Sequence, residues 1–232
     1  MFGDALRFPL AGDDGVKSVI IGGVLLLFSV LLLPVLPVYG YFVRAAKAGA
    51  DGTQEAPAFD DWGDLLVDGV KALVVGIVYF LIPTAVLVGA LVVVGVGSFA
   101  AADPANPATV DAVASGIGVV GGLLVLVAMV LYLVATYVFP AGLVSMARGD
   151  DIASAFDFGT VLSAAFSADY FVAGVLAILL SLVVGVATVI LGVLTLGLFF
   201  LLGVFVQFYV QVAFFYLFGR GYAKALDLPA AR

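Results

Sequence analysis

Long runs of apolar residues, separated by short stretches that carry the charges, dominate the hydropathy pattern of this chain. A helix needs roughly 20 apolar residues to cross a hydrocarbon core about 30 Å thick. The runs meet that length, and the last of them, between residues 170 and 219, is long enough for two crossings that turn near Gly192 to Gly197. The pattern predicts five transmembrane helices, at residues 18–43, 70–96, 115–144, 170–191 and 197–219.

Two of the polar stretches have a helical period of their own. In residues 58–69, Phe59 and Trp62 fall on an apolar stripe, and Asp61 lies on the opposite face. Residues 151–167 likewise have a polar stripe of Ser, Thr and Asp side chains and an apolar stripe that includes Ile152, Phe158 and Leu162. Such amphipathic segments lie in the membrane interface, where an indole ring prefers the depth of the headgroups. We expect two interfacial helices, the first anchored by Phe59 and Trp62 and begun by Asp60 and Asp61, with Asp60 as its N-cap.

Pro34 and Pro37 interrupt the first apolar run and leave two interpretations open. A full crossing kinked at these prolines is favoured, because each arm of a hairpin would have only about 13 residues, or roughly 20 Å of helix. The alternative is a re-entrant hairpin that turns at the prolines and returns to the side from which it entered. A second uncertainty is an internal repeat. Arg44 followed by Phe59-Asp60 resembles Arg148 followed by Phe156-Asp157, but the match is short.

Composition supports a membrane protein, since 65% of the residues are hydrophobic and only 11% are charged. A soluble domain of this length could not bury so much apolar surface. Basic residues accumulate in cytoplasmic loops, and five crossings put Arg44, Lys47, Lys71, Arg148, Arg220, Lys224 and Arg232 on one side. We therefore expect a protein of the cell membrane with a cytoplasmic C-terminus and both interfacial helices inside. The N-terminus, with Arg7 and Lys17, then lies outside.

The net charge of −7 argues against nucleic-acid binding, which requires a basic surface. An acidic surface that is almost all Asp, with Glu55 as the only glutamate, is typical of proteins that stay solvated in high salt.

Few residues offer chemistry. The chain has no Cys and no His, so it has neither thiolate nor imidazole groups. No ionisable residue falls deep within a predicted span, whereas transporters usually carry one there. The adjacent pairs Asp60-Asp61 and Asp150-Asp151 lack a third ligand at a suitable spacing. We expect no catalytic site, no cofactor and no metal site.

Gln207 and Gln211 form the strongest polar feature within a span, and Gly203 continues their helical face. In lipid, glutamine side chains form hydrogen bonds to neighbouring helices. We interpret this face as a helix-packing surface, with a lining for a polar solute as the alternative. Two pairs of small residues four apart, Gly118 with Gly122 and Ser181 with Gly185, are expected to allow close helix packing.

Four stretches of the chain resemble a family of archaeal multi-pass membrane proteins known as domain of unknown function 4013. They are residues 4–9 (DALRFP), 40–44 (GYFVR), 57–65 (PAFDDWGDL) and 68–71 (DGVK). Many members come from halophilic archaea. The resemblance implies a membrane location and assigns no activity, so it supplies no catalytic residues.

The sequence therefore predicts an all-α polytopic membrane bundle in one domain, residues 1–232. We expect a structural or accessory membrane protein that binds lipids, other membrane proteins or a second copy of itself. A transporter or channel for an uncharged or amphiphilic solute is the alternative. The two differ in whether a polar path runs through the bundle. A membrane-embedded enzyme is disfavoured because the reactive groups are missing.

Overall fold

A computed structural model describes residues 1–31, 33–100 and 107–229, and every regular element in these ranges is helical. The α-helices are α1 (Phe2–Arg7), α2 (Gly15–Leu27), α3 (Val35–Asp51), α4 (Trp62–Ala100), α5 (Pro107–Gly149), α6 (Phe158–Ala165), α7 (Ala168–Leu194) and α8 (Phe199–Ala225). Three short 3-10 helices, Phe8–Leu10, Ser29–Leu31 and Ile152–Phe156, lie between them. The chain divides into two compact units: unit 1 comprises residues 1–75 and 138–232, and unit 2 comprises residues 76–137.

Four helices of the described chain are long and apolar enough to cross a membrane: Trp62–Gly95, Gly116–Gly149, Ala168–Leu194 and Phe199–Ala225. The all-α membrane bundle predicted from the sequence is thus confirmed. The turn predicted near Gly192 to Gly197 is also confirmed, since α7 ends at Leu194 and α8 begins at Phe199. Gly197 has a φ of 92°, a conformation that glycine adopts without steric cost. The predicted loop residues 101–106 lie outside the described residues.

The predicted first span, residues 18–43, is not a single crossing helix. It contains α2 and α3, separated by the 3-10 turn Ser29–Leu31 and by Pro34, which is the N-cap of α3. From the 3-10 helix before α2, where Phe8 stacks on Tyr216, the chain passes along α2 to Gly23, which contacts Phe205. Along α3 it returns, from Tyr41 beside Phe208 to Gly49 beside Tyr216.

The two helices are therefore antiparallel arms of a hairpin packed on α8, and the favoured full crossing is wrong. A hydrogen bond from the Ala56 backbone N–H to the Ala11 carbonyl (3.3 Å) joins the two ends of the hairpin. The Ser18 hydroxyl donates a second one to the Pro57 carbonyl, at 3.2 Å. Each of the short arms, which argued against a hairpin, packs one face on α8, while Ile20 and Leu27 on the outer face of α2 remain exposed.

The two predicted interfacial helices also differ from the expectation. Residues 58–61 are not helical, and the helix that begins at Trp62 continues without a break as α4. Residues 151–167 contain the 3-10 helix Ile152–Phe156 and the eight-residue helix α6, divided at Asp157. Asp157 follows the last residue of the 3-10 helix and is also the N-cap of α6. Its carboxylate accepts the backbone N–H of Thr160 in the first turn of α6. Short polar side chains thus start several elements where the pattern predicted one continuous helix.

The core of unit 1 surrounds α8, which packs against α2, α3 and α7. Aromatic rings fill the space between α3 and α8: Phe42 stacks on Phe215 with a centroid distance of 5.1 Å, and Tyr41 lies 5.3 Å from Phe208. Next to these rings the backbones come close together. A Cβ atom on Gly219 would collide with the Ala46 carbonyl oxygen. The contact between α3 and α8 therefore combines aromatic rings with glycine positions where the two backbones approach closely.

Unit 2 consists of the facing parts of α4 and α5, and its buried residues are small. Ala90 on α4 and Gly121, Ala128 and Ala135 on α5 are buried, while the large aliphatic side chains around them are exposed. Gly121, Ala128 and Ala135 are spaced seven residues apart, the period that keeps one helix face toward a partner. The close approach of these two helices depends on this seven-residue pattern of small side chains.

Candidate functional site

Charged side chains gather at one end of unit 1, where α3, α5 and α8 end and α4 and α7 begin. We call this the charged end and define it by Arg44, Asp51, Asp60, Arg148 and Arg220. Arg44 Nη1 lies 3.3 Å from Asp60 Oδ1 and 3.4 Å from the Asp60 carbonyl. Arg44 Nε is 3.9 Å from Asp68 Oδ2. One guanidinium thus joins α3 to the segment before α4 and to the first turns of α4.

Arg148 makes the second cross-link of the charged end. Its Nη1 atom lies 3.2 Å from Asp51 Oδ1 and donates to the Ala50 carbonyl, also at 3.2 Å. Both side chains of the ion pair are about one-quarter exposed or less. A cation at the last carbonyls of a helix also interacts favourably with the helix dipole. Arg148 therefore fastens the end of α5 to the end of α3.

Two cavities open at the charged end. The smaller holds about 150 Å³ and is lined by Val43, Arg44, Lys47, Asp68, Lys71, Met146, Ala147 and Asp150. The larger holds about 410 Å³ and is lined by Gly49, Ala50, Gly52, Asp169, Arg220, Ala223, Lys224, Asp227 and Leu228. The larger volume lies in the range of small-molecule sites.

The interfacial-anchor residues predicted from the sequence meet at the charged end but have separate roles. Phe59 is buried and stacks on Tyr41 with a centroid distance of 4.5 Å. Trp62 remains 46% exposed in the first turn of α4, 5.8 Å from the Phe59 ring. The carboxylate of Asp60 pairs with Arg44, and it is the Asp61 carbonyl that accepts the Leu65 backbone N–H at 3.0 Å.

The glutamine face lies along α8. Gln207 is exposed, Gln211 is partly buried, and Gly203 is buried near the Thr188 methyl group. Within this chain Gln207 is thus not covered by a neighbouring helix. Its role in packing stays a prediction that would involve a contact outside the chain.

The small-residue pairs chosen from the sequence are not the ones at the helix contacts. A Cβ atom on Gly118, Gly122 or Gly185 would meet no other atom within 4 Å. In contrast, a Cβ on Gly121 would collide with the Val94 side chain. The spacing of four residues was the wrong signal, and the seven-residue period of Gly121, Ala128 and Ala135 would have found the packed face.

One polar contact in unit 2 was missed from the sequence. The hydroxyls of Thr84 on α4 and Tyr132 on α5 are hydrogen-bonded at 2.8 Å. Tyr132 also lies against Phe80, with ring centroids 5.9 Å apart. The two residues are 48 positions apart, so only the pairing of the helices brings them together.

The two adjacent aspartate pairs, Asp60-Asp61 and Asp150-Asp151, lie at turns of the backbone. Asp151 accepts the Ala153 N–H at 3.1 Å, and Asp61 and Asp150 have positive φ angles of 47° and 51°, which aspartate tolerates better than most residues. At Asp157, hydrogen bonds from the Thr160 hydroxyl (2.7 Å) and backbone N–H (3.4 Å) lower the pKa of the carboxyl. Among the described residues, no group of three or more His, Cys, Asp and Glu is placed to hold a metal ion.

The comparisons with known proteins identify a family. The family model described as "Protein of unknown function (DUF4013)" matches residues 23–193, which is more than half of the chain. No curated protein and no solved structure matches the chain.

Proposed function

Since the chain belongs to the DUF4013 family of proteins of unknown function, whose description assigns no activity, we propose a non-enzymatic structural or accessory role in the cell membrane. In this role the protein binds lipids or a membrane partner through the charged end of unit 1. The observation that carries the proposal is the separation of the two kinds of side chain. Apolar side chains cover the spans, and the ion pairs and both cavities described above lie where the helices end.

The hairpin formed by α2 and α3 supports a cytoplasmic charged end. A hairpin does not cross the membrane, so four crossings remain, and the N-terminal segment lies on the same side as the C-terminal end of α8. Every basic residue from Arg7 to Lys224 then lies outside the spans or toward their ends on that side. A one-sided distribution of Lys and Arg is typical of the cytoplasmic face. The outside position expected for Arg7 and Lys17 is thereby replaced by an inside one.

The exposed aromatic residue at the charged end supports contact with the headgroup region. Trp62 is exposed in the first turn of α4, next to exposed Leu66 and Val67. An indole ring is apolar while its N–H needs a hydrogen-bond partner, so it prefers the depth where lipid and water meet. Arg44 and Asp60 beside it provide the polar side of that boundary.

A transporter or channel has less support. The described parts of the four spans carry Asp, Glu, Lys and Arg only toward the charged end, as at Asp68, Lys71 and Arg220. Buried ionisable groups at membrane depth are the usual mark of a solute or ion path. Gln207, the best candidate for a polar lining, is exposed on α8.

The acidic composition supports a halophilic, archaeal source. The net charge of −7 is carried almost entirely by Asp. Salt screens the repulsion between exposed charges, and a high net charge keeps the exposed loops solvated under these conditions. Thermal unfolding of the detergent-purified protein in 0.1 M and in about 3 M KCl tests this proposal. We expect a higher midpoint in concentrated salt, and a midpoint that falls with salt would contradict it.

Cysteine labelling tests the orientation, since the natural chain has no Cys. Asp13, near the start of α2, is exposed on the same side of the membrane as the charged end. Leu196 is 98% exposed in the turn between α7 and α8. Each is replaced by Cys in a separate variant. In intact cells a membrane-impermeant maleimide should label Leu196→Cys only. After the membrane is opened, Asp13→Cys should react as well. Labelling of Asp13→Cys in intact cells would overturn the cytoplasmic charged end. If Leu196→Cys were labelled as well, residues 18–43 would cross the membrane; if it were not, the whole protein would have the inverted orientation.

A further inference from the structure

The cavity of about 410 Å³ at the charged end carries four ionisable side chains: Asp169, Arg220, Lys224 and Asp227. Arg220 comes from the last turns of α8 and Asp169 from the first turn of α7, while Gly49, Ala50 and Gly52 belong to the end of α3. In the part of the chain that the structure describes, none of the four ionisable groups forms an ion pair with another.

The buried part of Arg220 lacks an acceptor. Its Nε atom is fully shielded from solvent and has no hydrogen-bond partner among the described residues. A buried donor without an acceptor costs about 1–3 kcal/mol, more when the group is charged. Arg220 and Lys224 lie one helical turn apart on α8, so both can approach the same bound group. The Nε atom itself is out of reach of a ligand, but an oxyanion bound in the cavity could pair with the outer N–H groups of the guanidinium, whose planar fork matches carboxylate and phosphate. Phosphate is the oxyanion that every phospholipid headgroup supplies.

The two aspartates at the cavity restrict which kind of anion can bind there. Asp169 and Asp227 are exposed at the cavity, and the last carbonyls of α3 add partial negative charge there. A bare anion would be repelled by these groups. A phosphate ester that also carries hydroxyl or ammonium donors can bind the basic residues through its phosphate and the acidic ones through its donors.

We propose that this cavity binds a phosphate ester with hydrogen-bond donors next to the phosphate. It rests on the lipid-binding role proposed above. The position of the cavity at the ends of membrane helices, next to Ala223 and Leu228, suits the headgroup of a phospholipid. A water-soluble phosphate ester shares the chemistry, and the experiment distinguishes the two sources.

Native mass spectrometry of the detergent-purified chain with added phosphatidylglycerol, phosphatidic acid and phosphatidylcholine tests the proposal. Phosphatidylglycerol carries two headgroup hydroxyls, phosphatidic acid carries a phosphate without such donors, and phosphatidylcholine has no N–H or O–H. We expect phosphatidylglycerol to bind most tightly. Arg220→Gln should weaken that binding about tenfold or more, as the loss of a charge-assisted hydrogen bond implies. Lys17→Gln, which removes an equal charge outside the cavity, should leave it unchanged.

Asp227→Asn separates the two halves of the site. It should weaken binding of phosphatidylglycerol several-fold, because the glycerol hydroxyls lose the carboxylate that accepts their hydrogen bonds. It should not weaken binding of phosphatidic acid, which loses only a repulsive charge. If Arg220→Gln does not fold, Lys224→Gln at an exposed position replaces it and should also weaken binding.

Glycerol phosphate without acyl chains identifies the source. Stabilisation of the chain by glycerol phosphate, lost in Arg220→Gln, would support the same chemistry with a soluble ligand. Equal binding of the three lipids, or binding insensitive to both Arg220→Gln and Lys224→Gln, would overturn the proposal. That outcome leaves the cysteine-labelling result untouched, so failure of this site and failure of the proposed orientation are separate findings.

Discussion

Unit 1 and unit 2 both contain long apolar helices, yet they are held together differently. Unit 1 buries large rings such as Tyr41, Phe208 and Tyr216 and joins its helix ends with ion pairs. Unit 2 buries mainly small residues and points its aliphatic side chains outward. Lipid tails are as apolar as leucine, so hydrophobicity alone does not bring helices together in a membrane. The comparison shows two ways to replace that force, by interlocking rings with polar cross-links and by close backbone contact.

The largest effect is expected where two backbones touch in unit 1. A Cβ atom on Gly69 would collide with the Leu36 carbonyl oxygen, and a backbone group cannot swing aside. Gly69→Ala should therefore lower the free energy of unfolding by about 3 kcal/mol. Gly89→Ala is the matched control on the same helix, because its Cβ would meet nothing within 4 Å. Unfolding in detergent by increasing denaturant measures both, and equal stability of the two variants would contradict the close contact of α3 and α4.

Arg148 should have the next largest effect. Arg148→Met leaves Asp51 and the Ala50 carbonyl without their partner in a region only about one-quarter exposed. We expect a loss of about 2 kcal/mol in the same measurement, typical of a hydrogen bond to a charged group. Lys17→Gln is the control, since the exposed pair of Lys17 with Asp14 should contribute less than about 1 kcal/mol. A loss for Arg148→Met no larger than that for Lys17→Gln would show that the cross-link does not stabilise unit 1.

In unit 2, two adjacent glycines provide a direct comparison. A Cβ on Gly121 collides with the Val94 side chain, which can move, whereas a Cβ on Gly122 meets nothing within 4 Å. Gly121→Ala should cost about 1 kcal/mol, near the low end for overpacking. Gly122→Ala should be neutral. If the order is reversed, the pair of Gly118 and Gly122 marks the true contact and the seven-residue pattern is wrong.

The smallest effect is expected for the Thr84–Tyr132 hydrogen bond. Hydrogen bonds between membrane helices average about 0.6 kcal/mol in double-mutant cycles. Thr84→Val and Tyr132→Phe should each cost about that much, and the double variant should cost little more than either one. Fully additive losses would mean that the two hydroxyls do not interact.

The presence of four long apolar helices could be predicted from the sequence, but α4 begins at Trp62 and not at residue 70, and α5 begins at Pro107 and not at residue 115. The predictions failed where an element depends on its neighbours. The turn after Leu194 was found because Thr195 and Gly197 interrupt the apolar run locally. The hairpin of α2 and α3 was not favoured, because two arms of about 13 residues each, or roughly 20 Å of helix, are too short to cross a membrane. In the structure they fold back, and α8 supplies a packing surface for one face of each arm.

The same distinction applies to the candidate site. Phe59 and Trp62 were placed on one interfacial helix because of their spacing, whereas Phe59 is buried against Tyr41 before the helix begins at Trp62. The partners of Arg148 and the cavity around Arg220 join residues more than 90 positions apart in the chain. No local sequence pattern predicts the partners of Arg148 or the cavity around Arg220.

The sequence by itself determined that this protein lies in a membrane, that its charges gather at the ends of its helices, and that it has no Cys or His chemistry. These properties follow from the free energy of transferring each side chain between lipid and water. Each residue contributes its own transfer free energy independently of the fold. The tertiary structure alone decided which glycines meet a neighbour, that the first apolar run returns to its starting side, and that Arg220 borders a cavity. These properties depend on the distances between helices, and such distances are set by packing between residues far apart in the chain.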